Sequence, residues 1–147
     1  MAGNKGTTFD NDLMKLIFNA TAIGNLADNA AISPNTAVYL SLHTADPTAG
    51  NTQSSSEATY TGYTRVSIYR DTVNSPRFTV SGNTATLNQT VSFPACTAGT
   101  NTITYFAVGT ASSGTGKILY TGPVSPSISV ASGVTPQLTT STTISES

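Results

Sequence analysis

The chain has 147 residues, a formal net charge of −1 and charged side chains at only 9% of its positions, against about 25% in a typical soluble domain. Its six basic residues, Lys5, Lys15, Arg65, Arg70, Arg77 and Lys117, are scattered, which excludes the clustered Lys/Arg surface that a nucleic-acid partner requires. No apolar run approaches the roughly 18 residues of a membrane span, and Met1 to Thr8 is too polar for a secretory leader, so neither membrane nor nucleic acid is expected as a partner.

The reading from the N-terminus begins with a flexible arm over 1–8. A helix follows over 9–24, with Asp10 or Asn11 as its cap. Leu13, Leu16, Ile17 and Ala20 fall at i, i+3, i+4 and i+7, and Met14 and Phe18 widen that stripe. An apolar face this broad suits burial on more than one side. Leu13, Met14, Leu16, Ile17 and Phe18 are therefore the candidate subunit interface; the alternative is that the helix lies on its own sheet. Gly24-Asn25 reads as the helix stop, and Leu26 to Ala31 as a further short turn of helix.

From Ala37 the period changes from 3.6 to 2. Val38, Leu40 and Leu42 alternate with Tyr39, Ser41 and His43, the pattern of a half-buried strand that Asp46-Pro47 ends. Thr44 to Ala58 has no apolar period and reads as a long functional or mobile loop. Strands are expected over Thr64–Arg70, with Arg65, Ser67 and Tyr69 outward, then Arg77–Val80 and Thr84–Leu87 as a hairpin around Ser81-Gly82-Asn83. Thr90–Phe93, Thr102–Gly109, Lys117–Tyr120, Ser127–Val130 and Pro136–Ile144 complete the set. The 27 threonines and 18 serines suit strands and turns respectively. Short strands at this spacing predict a mainly β fold, an antiparallel β-sandwich or jelly-roll-like barrel with one N-terminal α-helix. The expected organisation is a single domain over 1–147, with the β-sandwich over 37–147.

Chemistry has little to build on. His43 is the only histidine and Cys96 the only cysteine, so no intrachain disulfide and no His/Cys metal cluster can form. His43 and Asp46 are close enough in sequence to touch across the turn, but a structural role is the simpler reading. Cys96 reads as a small buried residue, and the free thiol suits folding in a cytosol. Asp10, Asp12, Asp28, Asp46, Asp71, Glu57 and Glu146 fall mostly at caps, turns or ends, and nothing pairs two of them for acid–base work. Gly109 and Gly114 have phosphate-loop spacing, but Thr115 stands where that motif needs Lys. No enzyme activity, cofactor or metal is expected.

The segment Val38 to Pro47, VYLSLHTADP, followed by Glu57 and Gly62-Tyr63-Thr64-Arg65, resembles a family of small tailed-bacteriophage virion structural proteins. Val91 to Pro94, Tyr105 to Ala111 and Lys117 to Gly122 extend the likeness, while Thr48 departs from the glycine usual there. The resemblance implies a non-enzymatic virion protein, assembled in the bacterial host cytoplasm, whose partners are other virion proteins such as the major capsid protein or tail proteins. It also implies a homo-oligomer. Its leading implication is a capsid decoration or cement protein, and the alternative is a tail or tail-fibre component. A carbohydrate-binding β-sandwich module is a separate reading of the residues: Tyr39, Tyr60, Tyr63 and Tyr69 could supply exposed aromatics, and the absence of Trp weakens it. Low charge suits a chain packed against other subunits.

Overall fold

The computed structural model describes residues 6–23, 26, 34–49 and 51–146. The protein is mainly β, with antiparallel sheets and one helix near its N-terminus. Among the described residues no sheet closes on itself, so the barrel alternative falls away, and the open sheets are consistent with a sandwich-like fold. The chain gathers into two compact units: residues 1–37, 68–89 and 139–147 form the first, and residues 38–67 and 90–138 the second.

The first unit holds the helix, α1 (Thr7–Asn19). It is shorter than the 9–24 expected. Ala20 takes a left-handed conformation, with φ 52°, and the Thr21 N–H bonds back to the Lys15 carbonyl at 3.1 Å, a pattern that ends helices. Thr7 and Thr8 are helical rather than part of an arm. The rest of the expected arm, the Gly24-Asn25 stop and most of Leu26–Ala31 lie outside the described residues. No basic side chain occupies the helix's own last turn, and Arg70 supplies one from elsewhere in the sequence. Its Nε and Nη2 donate to the Ile17 and Leu16 carbonyls at 2.6 and 2.7 Å, satisfying C-terminal acceptors that a helix leaves open. Asn19 ties the same end to the Phe78 carbonyl at 3.1 Å.

Three strands complete this unit: β3 (Phe78–Ser81), β4 (Thr84–Leu87) and β9 (Thr143–Ser145), in the sheet order β3-β4-β9. The β3–β4 turn is the hairpin expected, with Gly82 at φ 58° in its first central position. Phe18 meets Phe78 at a ring-centroid distance of 4.7 Å. Met14, Phe18, Ile68, Phe78, Ala85, Leu87 and Ile144 are buried together as the core. Met14 and Phe18 are thus spent on the chain's own fold and leave the candidate interface. Leu13, Leu16 and Ile17 stay half-buried.

A four-stranded sheet of order β2-β1-β6-β7 is formed by β1 (Ala37–His43), β2 (Val66–Tyr69), β6 (Asn101–Gly109) and β7 (Ile118–Val130); β6, β7 and β1 from Val38 on lie in the second unit, and β2 is divided between the units after Ser67. β7 runs through both strands expected at Lys117–Tyr120 and Ser127–Val130. Its Pro123 and Pro126 are tolerated because β7 is an edge strand. Phe106 lies opposite Gly122, and a Cβ there would sit 2.6 Å from the Phe106 ring, so glycine makes room for the aromatic. A two-stranded sheet of β5 (Val91–Ser92) and β8 (Gln137–Leu138) belongs to the same unit. The single strand expected over Pro136–Ile144 is two, β8 and β9, in different sheets. The Thr142 N–H bonds to the Thr139 carbonyl and the Thr139 hydroxyl to Ser141; such local bonding competes with a strand ladder.

β1 departs from the half-buried reading. Leu40 and Leu42 are fully buried, as the alternation requires, but so are Ser41 and His43 on the opposite face. The cover is the polar segment after β1, which is an ordered return rather than a loose loop. A 3₁₀ turn at Pro47–Ala49 starts it, the Thr44 N–H bonds to the Ser56 carbonyl and Ala58 N–H to Leu42 carbonyl, each at 2.8 Å. Gln53 plugs it into the sheet. Its amide donates to the Tyr39 carbonyl at 3.3 Å and accepts from the Ala111 N–H at 3.0 Å. Gly109 and Gly116 make the space: a Cβ on either would lie 2.1 or 2.0 Å from the Gln53 side chain. Gly109→Ala is therefore expected to cost about 1–3 kcal/mol by overpacking. The cost should shrink in a Gln53→Ala background, because neighbours couple. Denaturant unfolding of the three variants measures this, and equal costs in both backgrounds would contradict it.

Candidate functional site

The strongest concentration of polar chemistry in the second unit is Glu57, Tyr63 and Arg65. Arg65 was expected to point outward; it is buried, at 9% exposure. The reason is Glu57. Oε1 of Glu57 accepts from Arg65 Nε at 2.7 Å and Oε2 from Nη2 at 2.8 Å, a two-pronged ion pair. The same Oε1 accepts the Tyr63 hydroxyl at 2.9 Å, and that hydroxyl accepts the Leu42 N–H of β1 at 3.0 Å. Arg65 also donates to the carbonyls of Ala111 and Gly114, at 2.9 and 2.6 Å, holding the β6–β7 connection. The bond to Glu57 raises the Arg65 pKa above its ordinary value, and burial raises that of Tyr63, so both keep their protons. Gly62 permits the approach: at φ 101° it sits where a Cβ would lie 2.7 Å from the Ala95 carbonyl oxygen. Tyr63 packs between Tyr60 and Phe93 at ring distances of 5.4 and 6.3 Å.

The residue pattern does not reveal this clamp: it places Arg65 outward on a strand and Glu57 among the scattered carboxylates, and only the resemblance sets the two side by side. The available signal was a carboxylate eight positions before an arginine, with a tyrosine between, in a chain poor in charge.

His43 does not pair with Asp46. Its Nδ1–H donates to the Ser55 carbonyl and its Nε2 accepts the Ser41 hydroxyl, both at 2.8 Å. Asp46 instead accepts from the Thr48 N–H and hydroxyl at 3.0 and 2.8 Å, and the Thr48 N–H holds its pKa below the carboxylate norm. A hydroxyl–imidazole pair is half of a nucleophilic device, but both residues are fully buried, beyond reach of a substrate. Cys96 is buried, with its thiol directed at the Ala98 carbonyl at 3.3 Å. Among the described residues no His/Cys/Asp/Glu group could hold a metal ion, and no helix is long and apolar enough to cross a membrane.

Burial lowers the His43 pKa below its ordinary value. As pH falls through about 6.5, the unfolded chain takes up a proton that the folded imidazole declines. Stability is thus complete above that pH and declines toward the depressed folded value. Because the chain has one histidine, His43→Gln should flatten the unfolding midpoint between about pH 7 and 5. A slope unchanged by the substitution would assign the titration elsewhere.

The Glu57 clamp and the packed return after β1 both belong to the second unit. A family model for the podophage GP4 fiber I protein gp80 matches residues 7–145. The chain belongs to this family. Membership makes it a bacteriophage structural protein and places it with the virion, as the resemblance implied, and the match covers helix and strands alike. As a virion protein of this family it associates with other virion components. No curated protein matches the chain.

Proposed function

We propose that the protein is a fibre component of the tailed-phage virion, without enzymatic activity. The observation that carries this reading is the family match over nearly the whole chain, because that family's description is of a fibre protein. The head-decoration alternative has no separate observation in its favour. The fold suits a structural part. Buried bonds hold the long return after β1 and the β6–β7 connection, and the only histidine and cysteine are inside. We further assign the subunit contact to the first unit. Phe9, Leu26, Tyr69 and Val73, the exposed large apolar side chains among the described residues, all belong to it. Phe9, Leu13 and Leu16 follow one another at helical spacing along α1, beside half-buried Ile17. Repeated weak contacts of this kind add as avidity in a symmetric assembly.

Quantitative mass spectrometry of purified particles tests the proposal. A fibre component is expected at a small fraction of the copy number of the major shell protein. Copy numbers comparable to the shell protein would sink it.

A further inference from the structure

The sheet β3-β4-β9 ends in two free edges, and they are of different kinds. In an antiparallel ladder, hydrogen-bonded residue pairs alternate with open ones. Arg77 and Asn88 form a bonded pair, the Asn88 N–H donating to the Arg77 carbonyl at 3.0 Å. By the β3–β4 register Thr79–Thr86 and Ser81–Thr84 are then bonded pairs as well. Phe78 and Val80 therefore turn their main-chain groups away from β4, along the outer edge of β3. On the far side of the sheet, the Leu87 N–H donates to the Thr142 carbonyl and the Glu146 N–H to the Asn83 carbonyl. That sets the main chain of Ile144 toward β4 and leaves Thr143 and Ser145 to turn theirs outward.

An open strand edge is a template for another strand. At β3 the helix stands in the way. Asn11 Nδ2 donates to the Gly82 carbonyl and Asn19 Nδ2 to the Phe78 carbonyl. Four helical residues rise about 6 Å and two strand residues about 6.6 Å, so Asn11, Lys15 and Asn19 keep step with Gly82, Val80 and Phe78. Lys15 falls level with Val80, and a lysine at an edge itself deters pairing. At β9 the side chains of Thr143 and Ser145 are exposed and uncharged, and among the described residues no side chain bonds to their main-chain groups. The two edges also match. Each offers two outward residues, two positions apart, so an antiparallel pairing sets Phe78 against Ser145 and Val80 against Thr143 of a second copy. We infer that the Asn11, Lys15 and Asn19 row makes α1 a guard on the β3 edge, and that the strand it excludes is β9 of a second copy of this chain. Such a contact uses different surfaces on the two copies, so it adds copy after copy rather than stopping at two. The inference stands on the sheet edges and not on the virion position proposed above, since the isolated chain tests it.

Asn11→Ala, Lys15→Ala and Asn19→Ala together strip the guard, and alanine keeps the helix propensity of α1. Sedimentation velocity over a concentration series compares this variant with the wild-type chain. The expected result is a set of species larger than wild type that grow with concentration past a doubling of mass. Adding Val80→Pro or Thr143→Pro should each return the variant to the wild-type pattern, because each removes an outward N–H and no bond to β4. Where the triple variant melts below wild type, Asn11→Ala with Lys15→Ala, which keeps the Asn19 tie, carries the same expectation. A stripped chain that sediments as wild type at every concentration overturns the inference. Association that survives Val80→Pro does so too, because it lies off the β3 edge, and association that survives Thr143→Pro rules out β9 as the excluded strand.

Discussion

Arg65→Met should destabilise the fold by about 3–5 kcal/mol, the usual cost of removing one partner from a buried ion pair. The substitution keeps much of the apolar stem and removes every donor. Glu57 would be left as a mostly covered carboxylate with only the Tyr63 hydroxyl to bond it, and the Ala111 and Gly114 carbonyls would lose their donor. For a chain of this size the melting temperature should fall by on the order of 10 °C. Replacing both partners, Arg65→Met with Glu57→Gln, should cost less than the sum of the two single changes, because the second removes the charge the first strands. Calorimetry or denaturant unfolding of the two singles and the double decides it. A single substitution that stays within about 0.5 kcal/mol of wild type would mean that the clamp is solvated and not structural.

Phe18→Ala is expected to have an effect of similar size, about 3–5 kcal/mol. The ring is 1% exposed and packs on Phe78, so truncation leaves a cavity between helix and sheet. Leu16→Asp should behave differently. Leu16 is half-buried on α1, and the exchange should cost the isolated chain only about 1 kcal/mol while abolishing rebinding to particles stripped of the protein. Thermal unfolding of both variants, alongside that rebinding assay, separates the two roles. If Leu16→Asp melts as low as Phe18→Ala, or rebinds normally, α1 serves only its own sheet.

Much of the fold was legible because it rests on local periodicity. The apolar stripe on α1, the alternation in β1 and the Gly82 hairpin each announce themselves within a few residues. The helix stripe could not tell which of its side chains face inward: Met14 and Phe18 sit on the same broad face as Leu13 and Leu16, and only the position of β3 separates them. The misreadings around β1 have one physical origin. Ser41, His43 and Arg65 look outward by residue type, yet each is buried with a polar partner supplied from elsewhere in the chain, Ser55 for His43 and Glu57 for Arg65. Gln53 is the same case, buried against Gly109 and Gly116. Periodicity registers apolar burial and has no term for satisfied polar burial. The clamp was therefore visible only as a resemblance, and its chemistry came from the distances.

The central claim is that this chain works as part of a fibre on the virion. A cryo-electron microscopy reconstruction of the intact particle, with density assigned by fitting this fold, tests it most directly. The expected result places the protein in a tail-associated fibre, with the α1 face of the first unit against another virion protein. Density for the fold distributed over the head shell would contradict it.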